Sequence, residues 1–405
     1  MSATPEAQYG LGGAPVRRID NPVQIVLCSA SRPLRPVPTT SAADVRAWLA
    51  DRLPLVAPPS ALPLLAEWES KIRGADEVSS EEAERPWLAP AEALSLIGLL
   101  RASAERGTEF TFSAVHIERQ GGRLHPFEIP GYNGPLTISR GKYREARVRL
   151  LLSGIRKDVR HLLTGPPGWV LLEIDYKSCH AAIGHALSGD PTLGADLDGD
   201  IHQLVGNYLV SPTELDSAAR KAFGKRVNNA MLFGAGPGTL ERFTREGLGR
   251  EPKAGAAEAV WRAWWARYPR LAAFRDEVQR SVQTAQLNDV ALEIVPPSGR
   301  LSKFTAGEVQ GRVSKGRRAP GRDGMWRTVM SACFRAVEAD LMNGVLRRLH
   351  ALGGLVRVAL PLYDGLIAGA PNGSEDAAKT ALLEAAEQAV VEIGIPKLKA
   401  IVKVR

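Results

Sequence analysis

Two acidic residues, far apart in the chain, stand where apolar stretches end, and an acid in such a place can hold a cation. Asp175 closes the apolar run from Trp169 to Ile174, which has the length of a buried strand. Asp364 lies between two further strand-like stretches. A helical pattern follows Asp175 directly, and Asp is also a favourable N-cap. That stretch alone therefore leaves both a cation ligand and a helix cap open.

A ridge of polar and aromatic side chains is predicted on a helix between the two acids. Lys221, Lys225, Asn229 and Phe233 recur at intervals of four, which places them along one side of a helix. From Lys225 to Phe233 the ridge rises about 12 Å, close to the extended length of a nucleoside triphosphate. Cations at one end suit phosphates, and an aromatic ring at the other suits a base. The alternative is an amphipathic helix whose lysines face water.

The elements that must position these residues follow from hydrophobic periodicity and turn chemistry. Helices are predicted at about 42–53, 62–74, 91–106, 211–233, 261–283, 327–350 and 375–393. Strands are predicted at about 290–295, 355–362, 366–370 and 397–404, with strand-like alternation over 109–128. The helix that ends near Phe233 has a start signal in Ser211 as N-cap, Pro212 and the capping-box Glu214. Residues 1 to about 40, including the apolar run Val23 to Cys28, are predicted to form an irregular arm.

The charge balance favours a polyanionic partner such as nucleic acid. Lys and Arg number 52 against 44 for Asp and Glu, which gives a net charge of +8, and the pI is about 9.5. Two basic stretches, 140–160 and 310–324, can grip a phosphate backbone, or they can be a solvated helical face and a solvated linker. The candidate nucleic-acid-binding residues are Arg140, Lys142, Arg300, Arg317 and Arg318.

Cysteine usage and hydropathy predict a reduced, cytoplasmic protein. Cys28, Cys179 and Cys333 lie far apart, without the spacing of a disulfide framework or a zinc site. No stretch is long and apolar enough to span a bilayer, and the first residues lack the pattern of a signal peptide. A membrane partner is therefore not expected.

Several segments, in order and at similar spacing, resemble the motifs of family A DNA polymerases. This is the DNA polymerase I superfamily, which also includes phage-type single-subunit RNA polymerases. The resemblance covers about residues 150–370 and identifies the chain as a compact, divergent, exonuclease-lacking member. The segments are Arg156 to Arg160 with Gly168 to Tyr176 (motif A), Leu187 to Asp190, Asp200 to His202, Arg220 to Gly234 (motif B), Ala266 to Pro269, Gly299-Arg300, and Leu362 to Leu366 (motif C).

The resemblance implies an α+β, right-hand polymerase fold. It would have an antiparallel-sheet palm, helical fingers and a reduced helical thumb or N-terminal region. The implied divisions are an N-terminal extension at 1–90, a thumb-like region at 91–165, palm at 166–200, fingers at 201–325 with the basic loop 310–324, and palm again at 326–405.

The resemblance also implies the roles of the site residues. Two Mg²⁺ ions, or Mn²⁺ as a substitute, would be held by Asp175, Asp364 and the backbone carbonyl of Tyr176. Lys225 would bind the triphosphate and protonate pyrophosphate, so that Asp175, Asp364 and Lys225 are the implied catalytic residues. The implied nucleotide-binding residues are His180, His202, Arg220, Lys221, Asn229 and Phe233.

Departures from the family pattern leave the preferred sugar open. His180 stands where replicative members place the Glu that excludes a ribose 2′-hydroxyl, and Phe233 replaces the usual Tyr. Lys221 stands where the family usually has Arg. A lysine keeps the positive charge but lacks the bidentate fork of a guanidinium. Tyr363 and Gly365 replace the His and Glu that usually flank the motif C Asp.

The function expected from all of this is template-directed DNA synthesis without proofreading. About 150 residues precede the palm, too few for a thumb plus a full exonuclease, and they hold no Asp-x-Glu strand motif. The partners would be a DNA primer-template or a single-stranded template, with dNTPs or NTPs. The alternatives are a primase or single-subunit RNA polymerase that uses NTPs, a template-free terminal transferase, and a non-catalytic nucleic-acid-binding protein with a polymerase-like fold.

Overall fold

A computed structural model of the chain describes residues 23–28, 53–75, 90–107, 109, 111–114, 136–139, 149–150, 162–210, 213–248, 254–296, 302–311, 324–361 and 364–405. The chain divides into two compact units. The first, the helical unit, combines Met1–Thr39, Lys177–Asp340 and Val390–Lys399. The second, the sheet unit, combines Thr40–Tyr176, Leu341–Ala389 and Ala400–Arg405. The palm, fingers and thumb divisions stay a prediction.

Helices and strands occur in separate runs along the described residues. The helices are α1 (Leu62–Ala75), α2 (Pro90–Arg106), α3 (Cys179–Ser188), α4 (Pro191–Asp196), α5 (Ile201–Leu209), α6 (Ser217–Leu232), α7 (Pro237–Leu248), α8 (Ala256–Arg267), α9 (Pro269–Leu287), α10 (Ala306–Val309), α11 (Met325–Ala351) and α12 (Glu375–Glu392). The strands are β1 (Gln24–Cys28), β2 (Thr111–Ala114), β3 (Leu136–Ser139), β4 (Arg149–Leu150), β5 (Trp169–Lys177), β6 (Ala291–Val295), β7 (Ser302–Phe304), β8 (Arg357–Pro361), β9 (Gly365–Pro371) and β10 (Lys399–Val404).

The sheet unit is built around a four-stranded sheet in the order β10-β5-β9-β8. Strands β5 and β9 are antiparallel, with Trp169 opposite Pro371 at one end and Asp175 opposite Gly365 at the other. Every residue of β9 from Gly365 to Ala370 is buried, which explains its apolar sequence without alternation. The core beside the sheet comprises Leu53, Leu55, Ala57, Ala61, Leu65, Ile97, Leu100, Ala104, Leu163, Leu171, Ala359, Leu360 and Ile367.

The helical unit contains a small sheet that the sequence did not reveal. The apolar run Val23 to Cys28, predicted as part of an irregular arm, forms strand β1 and pairs antiparallel with β6. Gln24 lies opposite Val295, and Cys28 lies opposite Ala291. The arm prediction was wrong for these residues because five residues without alternation carry little local strand signal. Their partner strand is supplied by a distant part of the chain.

Among the described residues, most predicted elements are confirmed within a few residues, and two helix boundaries are corrected. The helix predicted at about 42–53 lies, apart from its last residue, outside the described residues. The helix that carries the ridge begins at Ser217, with Asp216 as the N-cap that accepts from the Ala219 N–H at 2.8 Å. The proposed start at Ser211 was therefore wrong, although Ser211 and Pro212 lie outside the described residues. The single helix predicted over 261–283 is two helices, α8 and α9, which meet at Tyr268 and Pro269.

Helix α11 is buried along most of its length, as its apolar composition demands. From Val329 to Leu346 it includes three buried polar residues, Glu338, Asp340 and Asn343, to which the sequence assigned no role. None of the described helices, α11 included, combines the length and the apolar composition that crossing a bilayer requires.

One buried carboxylate caps the N-termini of two helices in the helical unit. Asp190 is fully buried, and its Oδ1 accepts from the backbone N–H groups of Thr192 and Leu193 at 3.0 Å each, at the start of α4. Its Oδ2 accepts from the N–H groups of Arg270 and Leu271 at 2.9 and 3.3 Å, at the start of α9. Two helix ends are thereby satisfied by a single side chain.

A second carboxylate joins the end of α4 to the end of α8. Asp196 accepts two hydrogen bonds from the Arg267 guanidinium, at 2.9 and 2.8 Å, and one from the Tyr268 hydroxyl at 2.8 Å. The hydrogen bond with Asp196 raises the pKa of Arg267, and burial raises the pKa of Tyr268. The motif segments Leu187 to Asp190 and Ala266 to Pro269 therefore carry hydrogen bonds that hold the helices together.

Asp190→Ala is expected to lower the free energy of unfolding by about 2–4 kcal/mol, because two helix caps are lost and each contributes roughly 1–2 kcal/mol. Asp190→Asn keeps one acceptor oxygen and should fall between the wild type and Asp190→Ala. Urea unfolding measures the difference. Asp216→Ala, which removes one exposed cap, is the matched control. A loss in Asp190→Ala no larger than in Asp216→Ala would contradict the double-cap role.

Candidate active site

The two predicted aspartates occupy neighbouring positions where β5 and β9 pair. Asp175 lies opposite Gly365 in the antiparallel register, and Asp364 immediately precedes Gly365. With strand spacing near 5 Å and a rise of about 3.3 Å per residue, their Cα atoms are roughly 6 Å apart. Two acids whose Cα atoms lie this close are candidates for holding a cation together. The sheet unit thus brings together two acids that are separated by most of the described chain.

Asp175 is not a helix cap. Strand β5 continues past it to Lys177, and the N-cap of α3 is Ser178. Asp175 Oδ1 instead accepts from the N–H of the next residue, Tyr176, at 3.0 Å. Ser178 adopts a left-handed backbone with φ 52°, which a residue other than glycine seldom adopts. The capping alternative is therefore wrong, and the strand-end position remains.

Gly365 is required by the close approach of the two strands. A Cβ at this position would lie 2.3 Å from the carbonyl oxygen of Ile174 and 3.5 Å from the Cα of Asp175. Any side chain would force β9 away from β5 beside both aspartates. The departure that the sequence showed after Asp364 thus has a steric reason in this fold.

Tyr176 fixes the end of β5 from the other side of the strand. Its ring is buried, and its hydroxyl donates to the carbonyl of Ala386 in α12 at 3.3 Å. The oxygen atoms near the strand ends that could bind a metal therefore belong to two carboxylates and to backbone carbonyls. These are the hard ligands that Mg²⁺ prefers alongside water and phosphate. Within the described residues, no group of three or more His, Cys, Asp or Glu side chains is placed to hold a metal. A cation here would rely on the aspartate pair.

The ridge lies on the outer side of α6 in the helical unit. Lys221 and Lys225 are exposed, whereas Asn229 and Phe233 are half-buried. The opposite side of the helix is buried and consists of Phe223, Gly224, Val227, Asn228, Met231 and Leu232. The predicted helical ridge is thus present, and its two cations are open to solvent.

Helices α5 and α6 touch through their backbones. A Cβ on Gly224 would lie 2.1 Å from the carbonyl oxygen of His202, and a Cβ on Gly206 would lie 2.0 Å from that of Arg220. Only glycines allow this crossing, and it brings His202 of α5 against the ridge helix. The candidate phosphate-binding residues of both helices therefore form one cluster in the helical unit.

The cations of this cluster differ in what they already bind. Lys221 pairs with Asp200 at 2.7 Å, and Arg220 donates to the Asn207 side chain at 2.9 Å and to the Leu215 carbonyl at 2.7 Å. Partial burial is the largest single influence on Asp200 and raises its pKa. The hydrogen bonds from Lys221 and from the Gln203 N–H, together with the charge of Lys221, outweigh burial, so that the pKa is lowered overall. Lys225 has no ion-pair partner in the part of the chain that the structure describes.

His202 is buried and hydrogen-bonded within the helical unit. It is 7% exposed, and its Nδ1 lies 3.2 Å from Nδ2 of the fully buried Asn228. The indole Nε1 of Trp264 donates to Asn228 Oδ1 at 2.9 Å. Burial, and secondarily the charge of Lys225, lowers the pKa of His202 to about 4. Sequence reasoning missed Asn228 and Trp264, because only the fold shows that Asn228 reaches His202 and that Trp264 reaches Asn228.

His180 contacts both an aromatic pair and a buried acid. Its ring packs edge-on against Phe233, with 4.9 Å between centroids, and Phe233 packs likewise on Phe334 at 5.5 Å. His180 Nε2 lies 3.3 Å from Oε1 of Glu338 in α11. The sequence did offer a signal for Glu338, since Glu338 and Asp340 are acids within an otherwise largely apolar stretch of α11.

The nucleic-acid-binding candidates lie outside the described residues. This applies to Arg140, Lys142, Arg300, Arg317 and Arg318, and also to Tyr363 beside Asp364. Their assignment stays a prediction from the sequence.

The fold resembles that of a known polymerase domain. A solved structure similar to this chain is the POL domain of Pol1 from M. smegmatis in complex with DNA primer-template and dNTP. The likeness has a TM-score of 0.59 and 15% sequence identity, and it covers 90% of this chain and 69% of that chain. No family model and no curated protein matches the sequence. The chain therefore has a polymerase-like fold of helices and antiparallel sheets, which confirms the coarse fold class predicted from the sequence.

Gly365→Ala is expected to lower the free energy of unfolding by about 1–3 kcal/mol, because its Cβ overlaps the Ile174 carbonyl and forces the strands apart. Gly98→Ala in α2 is the matched control, since a Cβ there meets nothing within 4 Å. It should instead stabilise by about 0.5–1 kcal/mol. Urea unfolding compares the two variants, and equal stabilities would contradict the close approach at Gly365.

Proposed function

We propose that this protein is a template-directed nucleotidyltransferase that extends a nucleic-acid 3′-hydroxyl, and specifically a DNA polymerase without proofreading. The observation that carries the proposal is the neighbouring position of Asp175 and Asp364 where β5 and β9 pair. It is supported by a fold that resembles the POL domain of Pol1. Two acids on adjoining strands suit nucleotidyl transfer, because that reaction develops negative charge on both the attacking and the leaving oxygen.

The aspartate pair is assigned to the chemical step. Asp175, Asp364 and the backbone carbonyl of Tyr176 would hold two Mg²⁺ ions, with Mn²⁺ as a substitute. When bound, these ions supply positive charge that favours the ionised 3′-hydroxyl and the leaving pyrophosphate. The contribution of the protein is position: the β5–β9 pairing and the buried Tyr176 ring fix where the carboxylates lie.

The cluster around α6 is assigned to the incoming nucleotide. Lys225, exposed and without a described ion-pair partner, would bind the triphosphate and return a proton to pyrophosphate. Lys221 and Arg220 would add charge after releasing Asp200 and Asn207. Asn229 and Phe233 would contact the sugar and base, and His202 would contact phosphate. The net charge of +8 suits a DNA partner.

A second candidate is an NTP-using primase or RNA polymerase. The observation that favours it is the His180–Glu338 contact at 3.3 Å. The position that a sugar-excluding carboxylate occupies in the resembling DNA polymerases is held here by an imidazole tied to a buried acid. A ring held in this way presents to a ribose a different surface from the one that carboxylate presents.

Asp175→Asn and Asp364→Asn are each expected to lower nucleotide incorporation by roughly 10³-fold or more, because the loss of one carboxylate removes charge from the transition state. The assay uses a primed DNA template, Mg²⁺ and dNTPs, with NTPs and unprimed template run in parallel. Asp289→Asn is the control, since Asp289 is exposed and has a φ of 50° that Asn also adopts.

The outcomes of this assay separate the candidates. Full activity in either aspartate variant would contradict the proposal. A preference for NTPs would favour an RNA polymerase, and synthesis without a primer would favour a primase. Incorporation without a template would identify a terminal transferase. DNA binding without any incorporation by the wild-type chain would leave a non-catalytic nucleic-acid-binding protein.

A further inference from the structure

We infer that Asn228 and Trp264 are positioning residues that make His202 a neutral hydrogen-bond donor, through Nε2, to the triphosphate of an incoming nucleotide. The inference rests on the proposed function for the identity of the ligand. The geometry of the three side chains lies within the helical unit and does not depend on the proposed function. Helices α5, α6 and α8 each supply one member of the set.

The orientation of the Asn228 amide is fixed from both ends. The indole N–H of Trp264 can only donate, so the Asn228 atom 2.9 Å from it must be the oxygen. The carbonyl of Ile201 can only accept, so the atom 3.2 Å from it must be the nitrogen. Asn228 is fully buried, which leaves water no access to exchange these partners. The two constraints agree.

The Asn228 amide in turn determines which His202 nitrogen carries the proton. Asn228 Nδ2 is a donor, and His202 Nδ1 lies 3.2 Å from it, so Nδ1 must accept. In a neutral imidazole the proton then resides on Nε2. Within the protein, Nε2 is 3.5 Å from the Ser178 hydroxyl, at the outer limit of hydrogen bonding. The Nε2–H group therefore makes only a weak hydrogen bond within the protein, and it can donate to a stronger acceptor.

The surroundings keep this donor uncharged. The groups that act on His202 are Lys225 and Lys221 of α6, Asp200 beside α5, and His180 of α3. Burial is the largest influence, Lys225 follows, and together they outweigh Asp200 and lower the pKa of His202 to about 4. The two lysines supply charge to an anion, and His202 adds a directed hydrogen bond without further repulsion between cations. A triphosphate, with many acceptor oxygens, fits this combination.

Trp264→Phe removes the indole donor and keeps an aromatic ring. Only the Ile201 carbonyl then holds the Asn228 amide, so part of the population is expected to flip and the Nε2–H tautomer to become a mixture. A flipped amide places its oxygen beside Nδ1, which favours the protonated ring and should raise the pKa of His202. Imidazole ¹⁵N shifts of the full-length chain report both, with His202→Gln to assign the signal. The control is Trp261→Phe on the same helix, whose indole donates at the same 2.9 Å but to the Ala235 carbonyl.

Ligand binding is measured with inorganic triphosphate and with a complementary dNTP on a primed template. Trp264→Phe should weaken triphosphate binding and raise the nucleotide KM by about tenfold, as expected for one misdirected hydrogen bond, whereas Trp261→Phe should change neither. His202→Gln, which can place an amide N–H near Nε2, should recover part of the binding that His202→Ala loses.

These readouts keep the inference apart from the proposed function. An unchanged His202 tautomer and pKa in Trp264→Phe, or equal changes in Trp261→Phe, would overturn the positioning role. A changed tautomer with unchanged triphosphate binding would overturn the donor role. If the wild-type chain synthesises no nucleic acid while both the ¹⁵N shifts and the triphosphate affinity respond as described, the proposed polymerase function fails and the inference stands.

Discussion

The close approach of β5 and β9 is the constraint on which the candidate chemistry depends. At Gly365 the strands are so near that a single methyl group would overlap the carbonyl oxygen of Ile174. In this register Asp175 lies opposite Gly365. Asp364 immediately precedes Gly365, so the two aspartates are neighbours. Two acids so close together repel each other in the absence of cations. The strand pairing and the buried core beneath it therefore have to fix their positions.

The helical unit also contains a close backbone approach at glycines, here between two helices. Gly206 and Gly224 let two helices cross at backbone contact, and the crossing brings His202 within reach of a buried amide on the ridge helix. Strands and helices can approach this closely only where side chains are absent, so polar groups elsewhere on the same elements are positioned by main-chain geometry. Rigid elements hold a site more accurately than loops do.

What the sequence could predict was local or periodic. The acid after an apolar run, the four-residue ridge and most helices and strands needed only short-range patterns, and they are present. The missed features depend on distant partners. Strand β1 exists because β6 lies beside it, and the predicted helix across Tyr268 breaks where Asp196 and Asp190 hold its two parts. Glu338 is linked to the candidate site by its contact with His180, which lies 158 residues away in the sequence.

The proposed function requires this chain to add nucleotides under the direction of a template. Single-nucleotide incorporation by the purified wild-type protein, opposite each of the four templating bases with Mg²⁺ present, tests it most directly. The complementary nucleotide is expected to be added at least about 10²-fold faster than the other three, in keeping with discrimination by base-pair geometry. Equal incorporation of all four nucleotides, or none on any template, would contradict it.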